Sequence, residues 1–402
     1  MNKVLENKTV LVGVSGSIAA YKSASLVSML VKSGADVHVL MTENACNFIN
    51  EITFETLTGN KCLTDTFDRN FQFKATHVSL AQKADIFMVA PATANVIAKI
   101  AGGIADDMLT TTFLAARCKK IISPAMNTAM YENPVTRDNI KKCRSYGIDV
   151  VEPASGYLAC GDTGKGKMPE PEVLYECILN EIQFEKDLAG KKVLVTAGPT
   201  MESIDPVRFI TNHSSGKMGY AIARVARRRG AEVTLVSGPV NLAAPLGVKV
   251  INVKSAAEMF NAVKENFTGA DIVIKAAAVA DYKPKDFSNE KIKKHDDELS
   301  IELERTQDIL AWLGANKRPG QILCGFSMET QNMKENSRAK LVKKNLDLIC
   351  ANNLKTEGAG FGIDTNVVTI ISRDKEIELP LLSKEEVASR ILDFILKIRN
   401  NI

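Results

Sequence analysis

Two serine hydroxyls stand in the turn after the first predicted strand, where they could bind a phosphate. Residues 9–14 (TVLVGV) predict a buried strand, and Ser15, Gly16 and Ser17 precede a helical pattern that runs to Lys32 and stops at Gly34. Hydroxyls beside a helix N-terminus suit a terminal phosphate, such as that of flavin mononucleotide (FMN). Capping of the helix by the serines explains the same residues equally well.

The nicotinamide dinucleotides are disfavoured for this turn. They require Gly-x-Gly-x-x-Gly and an acid at the end of the second strand, to bind a ribose hydroxyl. Here the turn reads GVSGSI, and the second strand ends VLMT without an acid. No tyrosine is followed four residues later by a lysine, which excludes the pair typical of short-chain dehydrogenases.

Cys160 and His77 are titratable side chains of the first half whose roles residue spacing alone leaves open. Cys160 lies in a polar stretch rich in glycine, which predicts a flexible lid and contains Gly156, Gly161, Gly164 and Gly166. His77 could serve in catalysis or cap a helix over residues 78–83. The remaining cysteines are interpreted as inert buried residues, namely Cys46, Cys62, Cys118, Cys143, Cys177, Cys324 and Cys350.

Three lysines of the second half could supply positive charge to a binding site. Lys291 opens a hairpin-like segment over residues 291–303, and Lys340 and Lys344 lie one helical turn apart. A solvated basic surface is the alternative for these lysines. Residues 216–218 (GKM) resemble a Walker loop, but methionine replaces the serine or threonine that magnesium needs, so a P-loop is not expected.

The elements that must position these groups occur twice. A strand, a helix and a second strand are predicted over residues 8–42 and again over residues 192–237, and residues 84–90 resemble residues 270–276. This repetition predicts an α/β protein of two tandem doubly wound, Rossmann-like domains. Charges cluster at residues 185–187, so we expect domains of residues 1–185 and 186–402.

Composition narrows the class of protein. The chain has 402 residues, 45% of them hydrophobic, which is enough for two cores. The eight cysteines form no Cys-x-x-Cys pair and no apolar run approaches membrane-spanning length, so we expect a cytoplasmic protein. A net charge of +4 does not suggest nucleic acid, and Arg227, Arg228 and Arg229 are expected to form a solvated helix end.

Longer strings give specific resemblances. Five strings resemble the flavin-dependent cysteine decarboxylase family: residues 15–22 (SGSIAAYK), 75–80 (ATHVSL), 90–95 (APATAN), 124–131 (PAMNTAMY) and 159–162 (ACGD). Four others resemble phosphopantothenate-cysteine ligases: residues 205–219 (DPVRFITNHSSGKMG), 278–282 (AVADY), 291–294 (KIKK) and 344–352 (KNLDLICAN). Their order is that of the bifunctional coenzyme A biosynthesis family, from about residue 8 to residue 395.

The first resemblance implies an N-terminal flavoprotein domain that decarboxylates 4′-phosphopantothenoylcysteine. Oxidation of the thiol-bearing carbon creates an electron sink, carbon dioxide departs, and reduction restores a saturated product. The implied roles are a base or orienting group for His77, carboxylate binding for Asn127 and late proton donation for Cys160. The implied FMN contacts are Ser15, Gly16, Ser17, Thr42, Pro91, Ala92, Thr93, Asn95 and Met126. Met126 and Met130 could equally be packing residues, and Tyr131 stands where this family often has tryptophan.

The second resemblance implies a C-terminal nucleotide-binding ligase domain. A carboxylate reacts with an amine only after activation, here as an acyl nucleotide formed from cytidine triphosphate (CTP) with Mg²⁺. Lys291 is implied in forming the acyl nucleotide, and Asn212 and Arg208 in holding it for cysteine attack. The implied nucleotide contacts are Lys217, Ala278, Asp281, Lys291, Phe326, Lys340 and Lys344. No metal ligand is identified, residue spacing does not distinguish cytosine from adenine, and Ser327-Met328 replaces the small residues common in the family.

The resemblance also implies a homo-oligomer, a dodecamer built from trimeric decarboxylase and dimeric ligase contacts. The expected partners are the small-molecule substrates 4′-phosphopantothenate, cysteine and CTP, with no nucleic acid and no membrane. An FMN-binding regulatory protein without catalysis is a rival interpretation, which the combination of His77, Asn127 and Cys160 disfavours. A decarboxylase of peptidyl cysteine is a second rival, and the attached ligase half disfavours it.

Overall fold

Runs of buried β-branched and aliphatic residues form the central strands of two separate units, Met1–Phe184 and Glu185–Ile402. The computed structural model describes residues 3–66, 76–157, 161, 163–293, 300–329, 332–353, 360 and 362–400. Within this part of the chain, no helix combines the length and the apolar character that crossing a bilayer requires.

The first unit alternates strands and helices. Its strands are β1 (Thr9–Val14), β2 (Asp36–Met41), β3 (Ile86–Ala92), β4 (Lys119–Pro124), β5 (Asp149–Val150), β6 (Ala154–Tyr157) and β7 (Thr163–Lys167). Its helices are α1 (Ala20–Lys32), α2 (Glu51–Thr58), α3 (Thr76–Lys83), α4 (Ala94–Gly102), α5 (Met108–Ala115), α6 (Thr128–Glu132), α7 (Pro134–Ser145) and α8 (Pro171–Ile182). A 3₁₀ turn spans Glu43–Asn47.

Five of these strands form one parallel sheet in the order β2-β1-β3-β4-β5. Side chains that alternate along β1 belong to two separate cores, so Val10 and Val12 pack with α1 and α8, whereas Leu11 packs with α4, α5 and α7. The sheet is therefore covered on both faces. The strand order reverses between β1 and β3, and a doubly wound sheet binds ligands at the carboxyl ends of its strands at that point.

The second unit has more strands and fewer helices. Its strands are β8 (Lys192–Ala197), β9 (Met201–Ser203), β10 (Phe209–Thr211), β11 (Glu232–Ser237), β12 (Lys249–Asn252), β13 (Ile272–Lys275), β14 (Tyr282–Pro284), β15 (Leu303–Arg305), β16 (Ile322–Glu329), β17 (Leu348–Asn353), β18 (Thr365–Asn366), β19 (Val368–Ser372), β20 (Glu376–Glu378) and β21 (Leu382–Ser383). Its helices are α9 (Lys217–Arg228), α10 (Ala256–Phe267), α11 (Ile309–Ala315), α12 (Met333–Lys343) and α13 (Lys384–Asn400).

The main sheet of this unit has the order β12-β11-β8-β13-β16-β17-β19-β20. Its first six strands are parallel and its last two pairings are antiparallel. Helices α10, α11 and α12 pack on one face, α9 packs on β8 and β11, and α13 packs on α9. The order reverses between β8 and β13, which places the second expected ligand site there.

The predicted fold class is confirmed, and several predicted elements match closely. Strand β1 and the end of α1 lie where the sequence placed them, and Gly34 has the positive φ of 88° that a helix stop favours. Residues 294–299 of the hairpin expected over residues 291–303 lie outside the described residues. Strand β15, which begins at Leu303, pairs with β14, and Lys291 lies in irregular chain between the two strands.

The interpretation of the triple arginine is also wrong. Arg228 is 1% exposed and Arg229 is 4% exposed. Arg228 forms an ion pair with Glu385 at 2.9 Å, and Arg229 pairs with Asp187 and Asp393. Helix α13 covers this end of α9, so the arginines join elements far apart in sequence. Buried charges with well-formed partners replace the expected solvated surface.

Candidate active sites

Ser15 joins the two loops at the switch point of the first unit. Its hydroxyl donates to the Pro91 carbonyl oxygen at 2.7 Å and accepts from the Thr93 amide at 3.0 Å. Only 1% of Ser15 is exposed. The hydroxyl therefore fixes the loop after β1 against the loop after β3, and Ser17, which is half-buried, remains the more accessible hydroxyl of the turn.

The same turn presents amides suited to an anion. Within the described chain, the N–H groups of Gly16 and Ile18 have no protein acceptor, and both precede the first turn of α1. A Cβ on Gly16 would approach the Cβ of Asn44 to 2.7 Å, so only glycine lets the turn pass this close to the loop after β2. Thr42 begins that loop and is half-buried. These features fit a phosphate group.

The loop after β3 contributes the other expected FMN residues. Pro91 and Ala92 are buried at the end of the strand, and Thr93 caps α4 by accepting from the Val96 amide at 3.4 Å. Asn95 is exposed in the first turn of α4. The structure thus places Ser17, Thr42 and Asn95 after three adjacent strands at one end of the sheet.

The side-chain oxygen of Asn127 caps a helix, and its NH₂ group is available as a donor. Its Oδ1 accepts from the Met130 amide at 2.8 Å and so caps α6. The capping bond orients the amide and leaves its NH₂ as the donor. Met126 packs against the core, whereas Met130 is 46% exposed, so the two methionines differ in environment despite their helical spacing.

The glycines that predicted a flexible lid have another function. Strands β6 and β7 form a hairpin, in which a Cβ on Gly166 would lie 2.2 Å from the Met126 carbonyl oxygen and one on Gly164 would lie 2.3 Å from Thr128 Oγ1. These two glycines allow tight packing beside Asn127. Cys160, which stands between these two strands in the sequence, lies outside the described residues.

A polar network holds the base of this hairpin. The Glu152 carboxylate accepts from Tyr131 Oη at 3.0 Å, from Lys165 Nζ of β7 at 3.1 Å and from Arg144. Although burial opposes it, these bonds hold the pKa of Glu152 below its usual value. The hydroxyl of Tyr131, which a tryptophan would lack, therefore helps to hold Glu152, a role that the family resemblance did not indicate.

Two other predictions about the first unit need correction. His77 lies within α3 rather than before a helix, is half-buried, and makes no hydrogen bond or ion pair to any described residue. Cys46 is exposed in the 3₁₀ turn and is not the buried residue that was expected. Burial and the nearby Glu51 nonetheless raise the pKa of the Cys46 thiol.

A cleft of about 840 Å³ opens at the carboxyl ends of β8, β13 and β16 in the second unit. It brings together seven predicted residues, namely Asn212, Lys217, Ala278, Asp281, Phe326, Lys340 and Lys344. Asn212 reaches across its floor, where the side-chain amide donates to the Ala278 carbonyl oxygen at 3.2 Å. Lys217 is held by Asp364 at 2.8 Å, and the Ser327 hydroxyl pairs with Ser337 at 2.7 Å.

Lys344 is positioned by two close contacts. Its ammonium lies 2.8 Å from Asp308, which caps α11 through the Ala311 amide. Burial opposes ionisation of Asp308, but the Lys344 bond and the amide bond lower its pKa. A Cβ on Gly314 would lie 1.8 Å from the Lys344 carbonyl oxygen, so glycine is required where α11 meets this turn. Lys344 is the residue after α12 rather than within it.

Arg208 and Lys291 do not line the cleft among the described residues. The Asp205 carboxylate accepts from the amides of Val207, Arg208 and Ile292 and from the Arg208 guanidinium. Against the effect of burial, these bonds hold the pKa of Asp205 well below its usual range. Lys291 is exposed beside this cluster, and residues 294–299 lie outside the described chain.

The cleft also contains charged residues that sequence reasoning missed. Lys275, Asp308 and Lys384 line it. Lys275 ends an otherwise apolar strand. A charged residue at that position could have been recognised from the sequence as a candidate site residue. Lys384 donates to the carbonyl oxygens of Gly360 and Ile363, contacts that only the folded chain creates.

Comparisons with known proteins cover both units. Residues 1–183 match the model of the Flavoprotein family, and residues 188–398 match the DNA/pantothenate metabolism flavoprotein C-terminal domain. The chain is 50% identical over 398 residues to the coenzyme A biosynthesis bifunctional protein CoaBC of Bacillus subtilis, covering 98% of this chain and 97% of that protein. It is 42% identical over 394 residues to the Escherichia coli protein of the same name, covering 97% of each. A crystal structure of a CoaBC C-terminal domain is 49% identical, with a TM-score of 0.46, over 54% of this chain and 98% of that one.

Proposed function

The chain belongs to the family of coenzyme A biosynthesis bifunctional proteins, and from this premise we propose how its two units divide the work. It is a bifunctional enzyme with a phosphopantothenate-cysteine ligase activity and a phosphopantothenoylcysteine decarboxylase activity. In our proposal, the C-terminal unit joins 4′-phosphopantothenate to cysteine, and the N-terminal unit decarboxylates the product to 4′-phosphopantetheine. The observation that carries this division is the cleft of the second unit, which gathers six of the expected nucleotide contacts together with Asn212.

FMN fits the switch point of the first unit. The amides of Gly16 and Ile18 and the Ser17 hydroxyl would bind its phosphate, with Thr42, Thr93 and Asn95 on neighbouring loops. Pro91, Ala92 and Met126 would supply apolar walls. When bound, FMN supplies a reversible two-electron oxidation of the thiol-bearing carbon of the substrate.

Residues around this site would bind the substrate carboxylate and transfer protons. The NH₂ group of Asn127 would donate to the substrate carboxylate, because its oxygen is already committed to the helix cap. His77 would act as base or orienting group. Cys160, which stands between β6 and β7 in the sequence, would return a proton to the product.

The ligase reaction needs cations first and an orienting amide afterwards. Lys340 and Lys344 would bind the phosphates, and Lys291 would stabilise charge at the α-phosphate as the acyl nucleotide forms. Asn212 and Arg208 would hold that intermediate while the cysteine nitrogen attacks the acyl carbon and the nucleoside monophosphate leaves. Lys217, Ala278, Asp281 and Phe326 would bind the rest of the nucleotide.

CTP as the nucleotide and Mg²⁺ as its counter-ion complete the proposal. Magnesium is usually held by one or two carboxylates together with substrate phosphates. Asp281 and Asp308 are the carboxylates that line the cleft in the described chain. We further propose a cytoplasmic homo-oligomer, a dodecamer of trimers and dimers, and light scattering of the purified enzyme would measure its mass.

The test is an assay of products by mass. Purified enzyme receives 4′-phosphopantothenate, cysteine, Mg²⁺ and either CTP or ATP. We expect 4′-phosphopantetheine, carbon dioxide and cytidine monophosphate with CTP, and slower turnover with ATP. Equal rates with ATP would contradict the CTP assignment, and absence of a cysteine adduct with both nucleotides would contradict the ligase assignment.

A further inference from the structure

A lysine ends the central strand of the second sheet. Lys275 follows Ile272, Val273 and Ile274, which are fully buried, and it pairs in register with Thr196 of β8 and Gly325 of β16. Its side chain lines the cleft at the point where the strand order reverses. Packing of an aliphatic strand gives no reason for an amine at this position.

The protein provides few hydrogen bonds and no close counter-ion, among the described residues, for the Lys275 ammonium. Its Nζ donates one hydrogen bond, to the Ala277 carbonyl oxygen at 2.9 Å. Among the described residues, no carboxylate lies within ion-pair distance of it. An ammonium has three donors and no acceptor, so part of its hydrogen-bonding capacity faces the cleft.

Burial and a neighbouring lysine raise the free-energy cost of ionising Lys275. Lys344 and Lys340 repel the ammonium, Asp281 and Asp308 attract it, and Asp308 is already paired with Lys344 at 2.8 Å. Burial, followed by the charge of Lys344, lowers the pKa of Lys275 to about 8. Among the described residues, five lysines line the cleft: Lys217, Lys275, Lys340, Lys344 and Lys384. A bound anion would relieve both the repulsion at Lys275 and its desolvation.

We propose that Lys275 is a further nucleotide-binding residue, whose ammonium donates to a phosphate oxygen of the nucleoside triphosphate beside Lys340 and Lys344. This inference rests on the ligase function proposed above. Because the free amine is partly neutral near pH 8, nucleotide binding at that pH is accompanied by proton uptake at Lys275.

Titration calorimetry of the full-length enzyme tests this coupling. CTP with Mg²⁺ is added at pH 8 without 4′-phosphopantothenate, so that no turnover occurs, in two buffers of different ionisation enthalpy. Binding to the parent should take up about half a proton more than binding to Lys275→Met, since half of the amines are neutral at a pH equal to the pKa. Comparison with the variant cancels protons exchanged by the nucleotide and by other groups.

Three variants separate binding from structure. Lys275→Met should weaken CTP binding by about tenfold or more, because a buried phosphate contact is lost. Lys275→Arg should keep most of the affinity but lose the proton uptake, since guanidinium does not deprotonate. Lys283→Met removes a half-buried lysine that is paired with Glu304 at 2.9 Å and does not line the cleft, so this variant should behave as the parent.

The outcomes distinguish this inference from the proposed function. If the parent binds neither CTP nor ATP, the proposed function fails. If the parent binds CTP but folded Lys275→Arg keeps the full proton uptake, Lys275 is not the coupled group and the inference is overturned. Should 4′-phosphopantothenate alone cause the uptake and CTP none, the anion belongs to the acid substrate and the nucleotide assignment is wrong.

Discussion

The guanidinium of Arg208 donates a 2.6 Å hydrogen bond to the carbonyl oxygen of Ile292, the residue beside Lys291. The Asp205 carboxylate accepts from Arg208 and from the Ile292 amide, so both backbone groups of Ile292 are held. Two residues that the sequence assigned to ligation are thereby connected. Arg208 can act by fixing the segment that presents Lys291.

The first prediction concerns this connection. Arg208→Lys removes the planar fork that reaches Asp205 and Ile292 together, so the Lys291 segment should lose its position. We expect ligase kcat/KM to fall about 10- to 100-fold with decarboxylation of added 4′-phosphopantothenoylcysteine unchanged. Arg373→Lys, at an exposed position, is the matched control. Normal ligation by Arg208→Lys would show that the connection has no role in catalysis.

The second prediction separates the two ligase steps. Lys291→Gln removes positive charge at the α-phosphate, so pyrophosphate release should slow, by ~2–4 kcal/mol of barrier if one transition-state donor is lost. Asn212→Asp should still release pyrophosphate but stall amide formation, because a carboxylate disturbs the site of cysteine attack. Rapid quench with labelled CTP counts both species. Accumulation of acyl nucleotide in Lys291→Gln, with none in Asn212→Asp, would reverse these roles.

The third prediction concerns the two serines of the flavin turn. Ser15→Ala leaves the Thr93 amide without its buried acceptor, which should cost about 1–3 kcal/mol of stability and loosen FMN. Ser17→Ala should weaken FMN with little change in stability. Flavin fluorescence on release and thermal melting measure the two effects. An equal loss of stability in both variants would contradict the distinction, and a colourless parent that takes up no flavin would refute the FMN site.

The fourth prediction concerns the hairpin beside Asn127. Gly166 has a φ of 151°, and a Cβ there would lie 2.2 Å from the Met126 carbonyl oxygen. Gly166→Ala should therefore displace the hairpin and slow decarboxylation with ligation unaffected. Gly147→Ala provides a control, because it also has positive φ, 80°, but nothing within 4 Å of the added carbon. Unchanged decarboxylation by Gly166→Ala would mean that this packing does not position catalytic groups.

The fifth prediction follows from the pKa of about 8 for Lys275, below its ordinary value of 10.5. Between these two values the unfolded chain binds more protons than the folded one, so the parent gains stability as pH rises through this window. Lys275→Met should melt a few degrees above the parent at pH 7, and this advantage should vanish near pH 10.5. Trp312 is the single tryptophan and packs against Phe260 and Phe267, so its fluorescence reports on the second unit alone. A pH-independent difference would indicate ordinary packing.

The sequence by itself determined the class of fold and the residues that end each strand. Continuous runs of β-branched and aliphatic residues define β1 and β8, and glycines such as Gly34 mark helix ends, because these signals act over a few neighbouring residues. The strings that resemble known families likewise indicated Asn212 and Lys344 without any structure. Local periodicity and recurring motifs are sufficient for such predictions.

Tertiary structure decided which partner each side chain meets. Arg228 and Arg229 were misread as solvated because Glu385 and Asp393 lie more than 150 residues later in the chain. The close approach of Gly166 to Met126 could not be predicted, because it depends on the packing of β7 beside α6. Lys275 passed unnoticed, since its shortage of counter-ions arises only when β13 is placed beside Lys340 and Lys344 at the end of α12. Electrostatics and close packing depend on distances in space, and those distances exist only in the folded chain.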